Sequence, residues 1–116
     1  MAEAHCLFCR LAAGEIPAKK VYEDEDVIAF HDINPQAPIH VLIIPRKHIA
    51  KLDELGPGDT ETVGRILVRA AAIAREQKID SPGFRLVINN GEAAGQTVFH
   101  IHAHLLGGRA FAWPPG

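Results

Sequence analysis

The sequence predicts a single α+β domain in which a mainly antiparallel sheet of about five strands carries one long and one short helix. Several short β-rich segments follow one another early in the chain without regular alternation with helices, which favours antiparallel pairing. One long segment has the periodicity of an amphipathic helix. The 116 residues suffice for one hydrophobic core, and no repeat or linker divides them. We therefore expect one domain over residues 1–116.

The first third of the chain predicts a short helix, a hairpin and a buried strand. The apolar residues of about 6–13 fit a helix that Gly14 ends. Residues 19–32, KKVYEDEDVIAFHD, are typical of two strands around an acidic turn. The loop NPQAP follows, and then the run IHVLIIP at 39–45, in which only His40 is polar. Such a run predicts a strand covered on both faces.

The rest of the chain predicts a long helix and two more strands. The helix covers about 59–78, opens with the capping-type residues Asp59 and Thr60, and is ended by DSPG. Its apolar stripe recurs at three- and four-residue steps and consists of Val63, Ile66, Leu67, Ala70, Ile73 and Ala74. The segments FRLVINN at 84–90 and VFHIHAHLLGG at 98–108 predict strands.

Composition and charge exclude several classes of partner. The formal net charge is only −2, so nothing favours a nucleic acid or an anionic membrane, and any nucleotide partner should be small. The N-terminal segment lacks the pattern of a secretion signal, and no run approaches the ~20 apolar residues of a membrane span. We therefore expect a cytoplasmic protein. In a reducing compartment, the C-x-x-C pair Cys6 and Cys9 suggests metal or redox chemistry more than a disulfide.

The segment FHIHAHLLGG places His100, His102 and His104 at alternate positions. In a strand these histidines would share one face, either as exposed polar residues or as a site. His100 and His104 would lie about 13 Å apart along the backbone, whereas nitrogens bound to one zinc lie within about 3.5 Å of each other. One metal could therefore take a neighbouring pair, which leaves at least His102 for catalysis or phosphate contact. A zinc-dependent hydrolase with histidine ligands and an activated water stays open as an alternative.

The motif HIHAHLL resembles the histidine-triad (HIT) family of nucleotide-binding hydrolases and transferases. Together with IPAKKVYEDEDVIAFHDINPQAPIHVLIIPRKHI, GQTVFHIHAHLLGGR and WPPG, it resembles the Hint branch over nearly the whole chain. The resemblance implies a HIT-like fold and a homodimer whose sheet continues from one subunit into the other. It also implies a purine nucleoside phosphoramidase, which cleaves the P–N bond of AMP-amine and aminoacyl-adenylate-type substrates through a nucleotidyl-histidine intermediate. No organic cofactor is expected.

Four catalytic residues follow from this resemblance. His102 would be the nucleophile, since a neutral imidazole is competent at pH 7 and leaves well afterwards. His40 would help to orient it. His104 would contact the phosphate or assist the leaving group. Thr97 would supply a hydroxyl where many Hint proteins carry serine, and its extra methyl group could change leaving-group contacts.

The nucleotide site is also implied by the resemblance. Asp32 would accept hydrogen bonds from the ribose hydroxyls. Phe30 and Ile33 would line the base pocket, although apolar residues there are also ordinary core. Trp113 would reach the substrate across the dimer interface, or else pack locally. The phosphate region would be formed by Asn89, Gly95, Gln96, Thr97, His102 and His104.

A structural zinc ion is the implied metal. Many bacterial Hint proteins hold it with residues that match Cys6, Cys9, His48 and His100, and two cysteines with two histidines are a common zinc set. The alternative is two unpaired buried cysteines. Two functional alternatives stay open beside the phosphoramidase, namely a nucleotide-binding or scaffold module with little turnover and a dinucleoside polyphosphate hydrolase.

Overall fold

One five-stranded sheet organises the molecule, and every pair of neighbouring strands is antiparallel. The computed structural model describes residues 3–116, so residues 1 and 2 of the predicted domain lie outside the described residues. The strands are β1 (Lys20–Glu23), β2 (Val27–His31), β3 (Ile39–Pro45), β4 (Phe84–Val87) and β5 (Ala103–Gly107). Their order across the sheet is β1-β2-β3-β5-β4. This confirms the predicted α+β fold.

The two faces of β2 and β3 are covered by different helices. On one face lies α2 (Thr60–Glu76), whose buried residues Ile66, Ala70, Ile73 and Ala74 join the same apolar cluster as Val41 and Ile43. On the other face lies α1 (Leu7–Ala12), where Phe8 and Leu11 pack against Phe30, Leu42 and Ile44. Alternate residues of β3 therefore enter different clusters. The prediction of a strand covered on both faces is confirmed.

The end of α2 differs from the sequence prediction. The helix ends at Glu76, not at about Lys78, and therefore before DSPG. Lys78 adopts φ 60, its N–H donates to the Arg75 carbonyl at 3.1 Å, and the Ile79 N–H donates to the Ala74 carbonyl at 3.0 Å. This is a Schellman motif, which satisfies the last carbonyls and turns the chain into the core at Ile79.

Two predicted strands are shorter than expected. β4 ends at Val87, not at 90, and β5 begins at Ala103, not at 98. Continuing the β3–β5 register past Ala103 would bring Ile101 opposite Pro45, which has no N–H to donate. The Ile101 N–H instead donates to the Ile49 carbonyl at 2.6 Å, outside the ladder. His100 and His102 thus precede the strand, and only His104 lies within it.

The sheet face covered by α2 leaves no space for a side chain at Gly107. We therefore expect Gly107→Ala to destabilise the fold by about 1–3 kcal/mol. A Cβ built there would lie 2.5 Å from the Ile79 Cδ1 and 3.0 Å from its Cβ. Gly64→Ala is the matched control, since a Cβ in α2 meets nothing within 4 Å and should stabilise by about 0.5–1 kcal/mol. Urea unfolding of both variants measures the difference, and equal stabilities would contradict the expected clash.

Within residues 3–116, no helix has both the length and the apolar character that crossing a membrane requires.

Candidate active site and metal centre

Four side chains from separate parts of the chain converge beside α1. Cys6 caps this helix, where its Sγ accepts the Cys9 N–H at 3.3 Å. His48 follows β3, and His100 precedes β5. The two Sγ atoms and one ring nitrogen of each histidine all lie within 4.8 Å of one another. The structure therefore brings together the four residues that the sequence predicted as metal ligands.

The spacing of these atoms fits a tetrahedral zinc ion, whose Zn–S and Zn–N bonds place ligand atoms roughly 3.3–3.8 Å apart. The His100 Nδ1 lies 3.3 Å from the Cys6 Sγ, 3.5 Å from the Cys9 Sγ and 3.3 Å from the His48 Nδ1. The Cys9 Sγ lies 3.3 Å from the His48 Nδ1. These four protein ligands would complete the coordination of a bound zinc ion and leave no position for a substrate, which is the pattern of structural zinc sites.

Main-chain contacts prepare His100 to act as a ligand. Its Nε2–H donates to the Pro45 carbonyl at 2.7 Å, which leaves the lone pair on Nδ1, the atom that faces the cysteines. Burial lowers the pKa of His100 to about 4, so the ring is neutral at pH 7. Burial also raises the pKa of the Cys9 thiol, and a bound cation would be needed to hold it as a thiolate.

His102 is fixed in one tautomer by the main chain of His100, one of the four candidate metal ligands. Its Nδ1 lies 2.8 Å from the His100 carbonyl oxygen. Because a carbonyl oxygen only accepts, Nδ1 carries the proton and the lone pair lies on Nε2. The ring packs edge-on against Phe8, with centroids 5.1 Å apart, and lies 5.0 Å from the ring of His104. His102 thus offers the unprotonated nitrogen that a nucleophile requires.

His40 and His104 form a second ordered unit. The His40 Nδ1 accepts the Gln36 N–H at 3.0 Å, so the proton of His40 is on Nε2. That Nε2 lies 3.0 Å from the His104 Nδ1 and 3.5 Å from an Asp32 carboxylate oxygen. His104 therefore accepts at Nδ1 and keeps its own proton on Nε2. The sequence predicted that His40 orients His102, whereas its hydrogen-bond partner in the structure is His104.

The three histidines of this site are neutral at pH 7. Burial lowers the pKa of His40 and of His102, and the nearby Asp32 carboxylate offsets part of each effect. Burial also lowers the pKa of His104, to about 4. A neutral imidazole is the reactive form of a histidine nucleophile, so this environment favours the chemistry that the sequence predicts.

Acidification is expected to destabilise the protein through His104. Its pKa is about 4 in the fold and 6.5 ordinarily, so the unfolded chain binds more protons between these values. The contribution of His104 to the free energy of unfolding is therefore complete above pH 6.5 and is lost as the pH falls towards about 4. Thermal unfolding from pH 7 to 4 should show a smaller loss in His104→Asn than in wild type.

The titration of Asp24 sets the lower pH limit of that experiment. Hydrogen bonds from the Tyr22 hydroxyl and from two main-chain N–H groups lower the pKa of Asp24 to about 2. Its stabilising contribution is present above its ordinary value of 3.8 and is lost only as the pH falls towards 2. Parallel stability curves for wild type and His104→Asn between pH 7 and 4 would contradict the prediction for His104.

The residues predicted to bind the base and the dimer partner lie in contrasting environments. Phe30 is buried beneath α1, with its ring centroid 5.5 Å from that of Phe8. Ile33 is fully exposed, in the loop between β2 and β3. Trp113 is 82% exposed in the C-terminal tail and is not packed locally. Phe30 is therefore packed against α1, whereas Ile33 and Trp113 are exposed to a ligand or a partner.

The predicted phosphate loop contains one inward-facing residue. Gln96 is buried, its Nε2 donates to the Ala50 and Val98 carbonyls, and its Oε1 accepts the Gly91 N–H at 2.8 Å. These bonds hold the loop, so its side chain is committed to the protein. Gly95 and Thr97 are exposed on either side of it, and Gly95 has φ 95.

Several residues near the histidines were not predicted as site residues. Phe8 packs edge-on against both His100 and His102, because the helix that carries the cysteines also carries this ring. Arg85 and Arg109 line an open cavity of about 430 Å³ together with Asn89 and His104. A charged residue inside the apolar segment FRLV was the available signal for Arg85, whereas Arg109 lies outside any regular element.

Comparison with known proteins places this geometry in a family. A model of the HIT domain matches residues 13–111. The chain is 51% identical over 110 residues to an uncharacterized HIT-like protein of Synechocystis, covering 95% of this chain and 96% of that one. The crystal structure of a HIT family hydrolase from Legionella pneumophila has a TM-score of 0.95 and 52% identity, covering 97% and 100% of the two chains.

A more distant solved structure is named for nucleotide binding. It is the histidine triad nucleotide-binding protein from Candida albicans, with a TM-score of 0.80 and 36% identity, covering 94% of this chain and 82% of that one. The match to the HIT model spans most of the chain and includes all three alternating histidines. By this match, and by relatives that share about half of its residues, the chain belongs to the HIT family.

Proposed function

We propose that this protein is a purine nucleoside phosphoramidase that hydrolyses P–N bonds through a nucleotidyl-histidine intermediate. The observation that carries the proposal is the hydrogen bond from the His102 Nδ1–H to the His100 carbonyl, which leaves Nε2 free to attack. Support for a hydrolase comes from the name of the Legionella pneumophila relative, and support for a nucleotide ligand comes from the name of the Candida albicans relative.

In the proposed reaction, the His102 Nε2 bonds to the α-phosphorus while the P–N bond breaks, and the amine leaves with that electron pair and takes up a proton from the solvent. The imidazole becomes positively charged, and the His100 carbonyl oxygen stabilises it by accepting the Nδ1–H. His104 directs its Nε2–H to the phosphoryl or leaving-group side, because His40 occupies its Nδ1. Water then attacks phosphorus and loses a proton to the solvent while the bond from phosphorus to the His102 Nε2 breaks, which releases the nucleoside monophosphate and restores neutral His102.

The remaining site residues are proposed to position the nucleotide. Asp32 would hold the ribose, and its carboxylate already lies beside His40. Phe30 and Ile33 would border the base, and Asn89, Gly95, Gln96 and Thr97 would surround the phosphate, with Gln96 acting through its main chain. A structural zinc ion at Cys6, Cys9, His48 and His100 would supply cross-linking of α1 to the sheet and no chemistry of its own.

We also infer a cytoplasmic homodimer. The exposed Trp113 supports the dimer, because an indole ring that is 82% exposed offers apolar surface that a partner subunit can bury. Sedimentation equilibrium tests the dimer. Cell fractionation tests the location.

A metal-dependent hydrolase is the second candidate, because Asp32, His40 and His104 offer three ligand atoms within 4.8 Å of one another. Against it, His40 and His104 are already hydrogen-bonded to each other at 3.0 Å. The test is hydrolysis of adenosine 5′-phosphoramidate by purified protein with and without a strong chelator. Turnover that survives chelation supports the histidine nucleophile. Turnover that chelation abolishes while circular dichroism shows an intact fold supports the metal-dependent mechanism.

A further inference from the structure

An open cavity of about 430 Å³ adjoins the reactive histidines and has a positively charged rim. Its lining includes His40, Asn89 and His104, together with Arg85, Arg109 and Phe111. Of the described residues, no aspartate or glutamate side chain lines it. Because burial keeps His40 and His104 neutral at pH 7, the two arginines supply its positive charge.

Neither arginine is neutralised within the described chain. No carboxylate forms an ion pair with Arg85 or Arg109, in contrast to Arg46 and Arg65, which do have acidic partners. The hydrogen bonds of these two guanidinium groups go only to main-chain carbonyls. Arg85 donates to Ala112 from Nη2, and Arg109 donates from Nε and Nη1. Since a guanidinium has five N–H donors, most of them stay available to a ligand.

Phe111 holds the two guanidinium groups together. Its ring centroid lies 5.1 Å from the Arg85 Cζ and 4.2 Å from the Arg109 Cζ. These cation–π contacts fix two like charges beside one ring, where they would otherwise repel each other. Two preorganised guanidinium forks next to a cavity are the arrangement that recognises a carboxylate or another oxyanion.

The cavity also adjoins the place where the phosphoryl group should lie. In an in-line displacement at phosphorus, the attacking and departing atoms are on opposite sides. His102 does not line the cavity, whereas His104, whose ring lies 5.0 Å from that of His102, does. A phosphoryl group attacked by His102 and contacted by His104 would therefore border this space, which has room for its amine.

We propose that Arg85 and Arg109 form a leaving-group subsite that selects nucleoside phosphoramidates whose amine carries an anionic group, such as the carboxylate of an amino acid attached through its amino nitrogen. This inference rests on the proposed function and specifies the substrate class. The two arginines bind and orient the amine portion, and they leave the attack by His102 unchanged.

The test compares two nearly isosteric substrates, the AMP phosphoramidates of glycine and of glycinamide, each joined through the amino nitrogen. For wild type, we expect kcat/KM to be about 10-fold higher for the glycine compound, since charge-assisted hydrogen bonds are worth roughly this factor or more. Arg85→Gln and Arg109→Gln should each reduce this preference, and the double variant should bring the ratio close to one. Added salt should reduce it too.

Arg75→Gln is the matched control. It removes the same charge from an exposed position on α2 that does not line the cavity, so it should retain the wild-type ratio. A wild-type ratio of one or below, or an undiminished ratio in the double variant, would overturn the subsite.

Binding to the His102→Ala protein separates this inference from the proposed function. Calorimetry with the same two compounds measures preference without turnover. If the glycine compound binds more tightly than the glycinamide compound and this preference requires the two arginines, the subsite is retained. If the wild-type protein nevertheless hydrolyses neither compound, the phosphoramidase is overturned. Equal binding and equal turnover of both compounds would retain the phosphoramidase and overturn the subsite.

Discussion

Replacing His102 with alanine is expected to lower kcat/KM for adenosine 5′-phosphoramidate by about 10⁴-fold or more, because a nucleophile that forms a covalent intermediate has no substitute in the site. The neighbouring imidazoles do not replace it. The His100 Nδ1 faces the cysteines, and the His104 Nδ1 is occupied by His40. Steady-state hydrolysis measures the loss, and acid-labile, base-stable labelling of the protein by phosphorus-labelled substrate reports the intermediate directly.

His31→Ala is the matched control for that experiment. His31 is an exposed histidine at the end of β2, and strand alternation directs it away from the face of Phe30 and Asp32. It should retain wild-type turnover and labelling. Substantial turnover in His102→Ala, or labelling of that variant at the wild-type level, would exclude His102 as the nucleophile.

Loss of the metal cluster is the change expected to cost most stability. A structural ion present at about a thousand times its dissociation constant stabilises a fold by about 4 kcal/mol, which corresponds to roughly 15 °C in Tm for a domain of this size. We expect one zinc ion per chain, and we expect a strong chelator or Cys9→Ser to lower Tm by about this amount. Elemental analysis and differential scanning calorimetry measure the two quantities.

The control uses the other group of potential ligands. Asp32→Asn disrupts the Asp32, His40 and His104 set and leaves the cysteine cluster intact. This variant should keep its metal and its sensitivity to chelator, whereas Cys9→Ser should bind little metal and respond little to chelator. A Cys9→Ser protein with full metal content and unchanged Tm would contradict the structural role of the cluster.

The elements that sequence patterns predicted well are those whose pattern reflects burial. The apolar run of β3 and most of the stripe of α2 are determined by what they cover, so periodicity identifies them. Leu67 was predicted as part of that stripe but is 46% exposed. The limits of β5 are different, because the alternation of His100, His102 and His104 is that of a strand. Pro45 ends the ladder from the opposite strand, and its carbonyl accepts the His100 Nε2–H. That constraint comes from the neighbouring strand, so the sequence of the histidine segment does not reveal it.

The site shows the same division. The resemblance to a family predicted the residues that converge in the cysteine–histidine cluster, and the spacing of Cys6 and Cys9 by itself suggested metal or redox chemistry. The pairing of His40 with His104 and the convergence of Arg85, Arg109 and Phe111 depend on elements far apart in the chain. No local pattern encodes such contacts, because cavity walls are formed by whatever the topology brings together.

The tautomers of three histidines are set by peptide groups, not by other side chains. His40 receives the Gln36 N–H, His102 donates to the His100 carbonyl, and His100 donates to the Pro45 carbonyl. Every amino acid supplies a carbonyl and every one except proline supplies an N–H. Amino-acid replacements at positions such as Gln36 can therefore accumulate over evolution without changing which ring nitrogen of each histidine carries the proton. The arrangement gives the chemistry a mutational robustness that a relay built from side chains would lack.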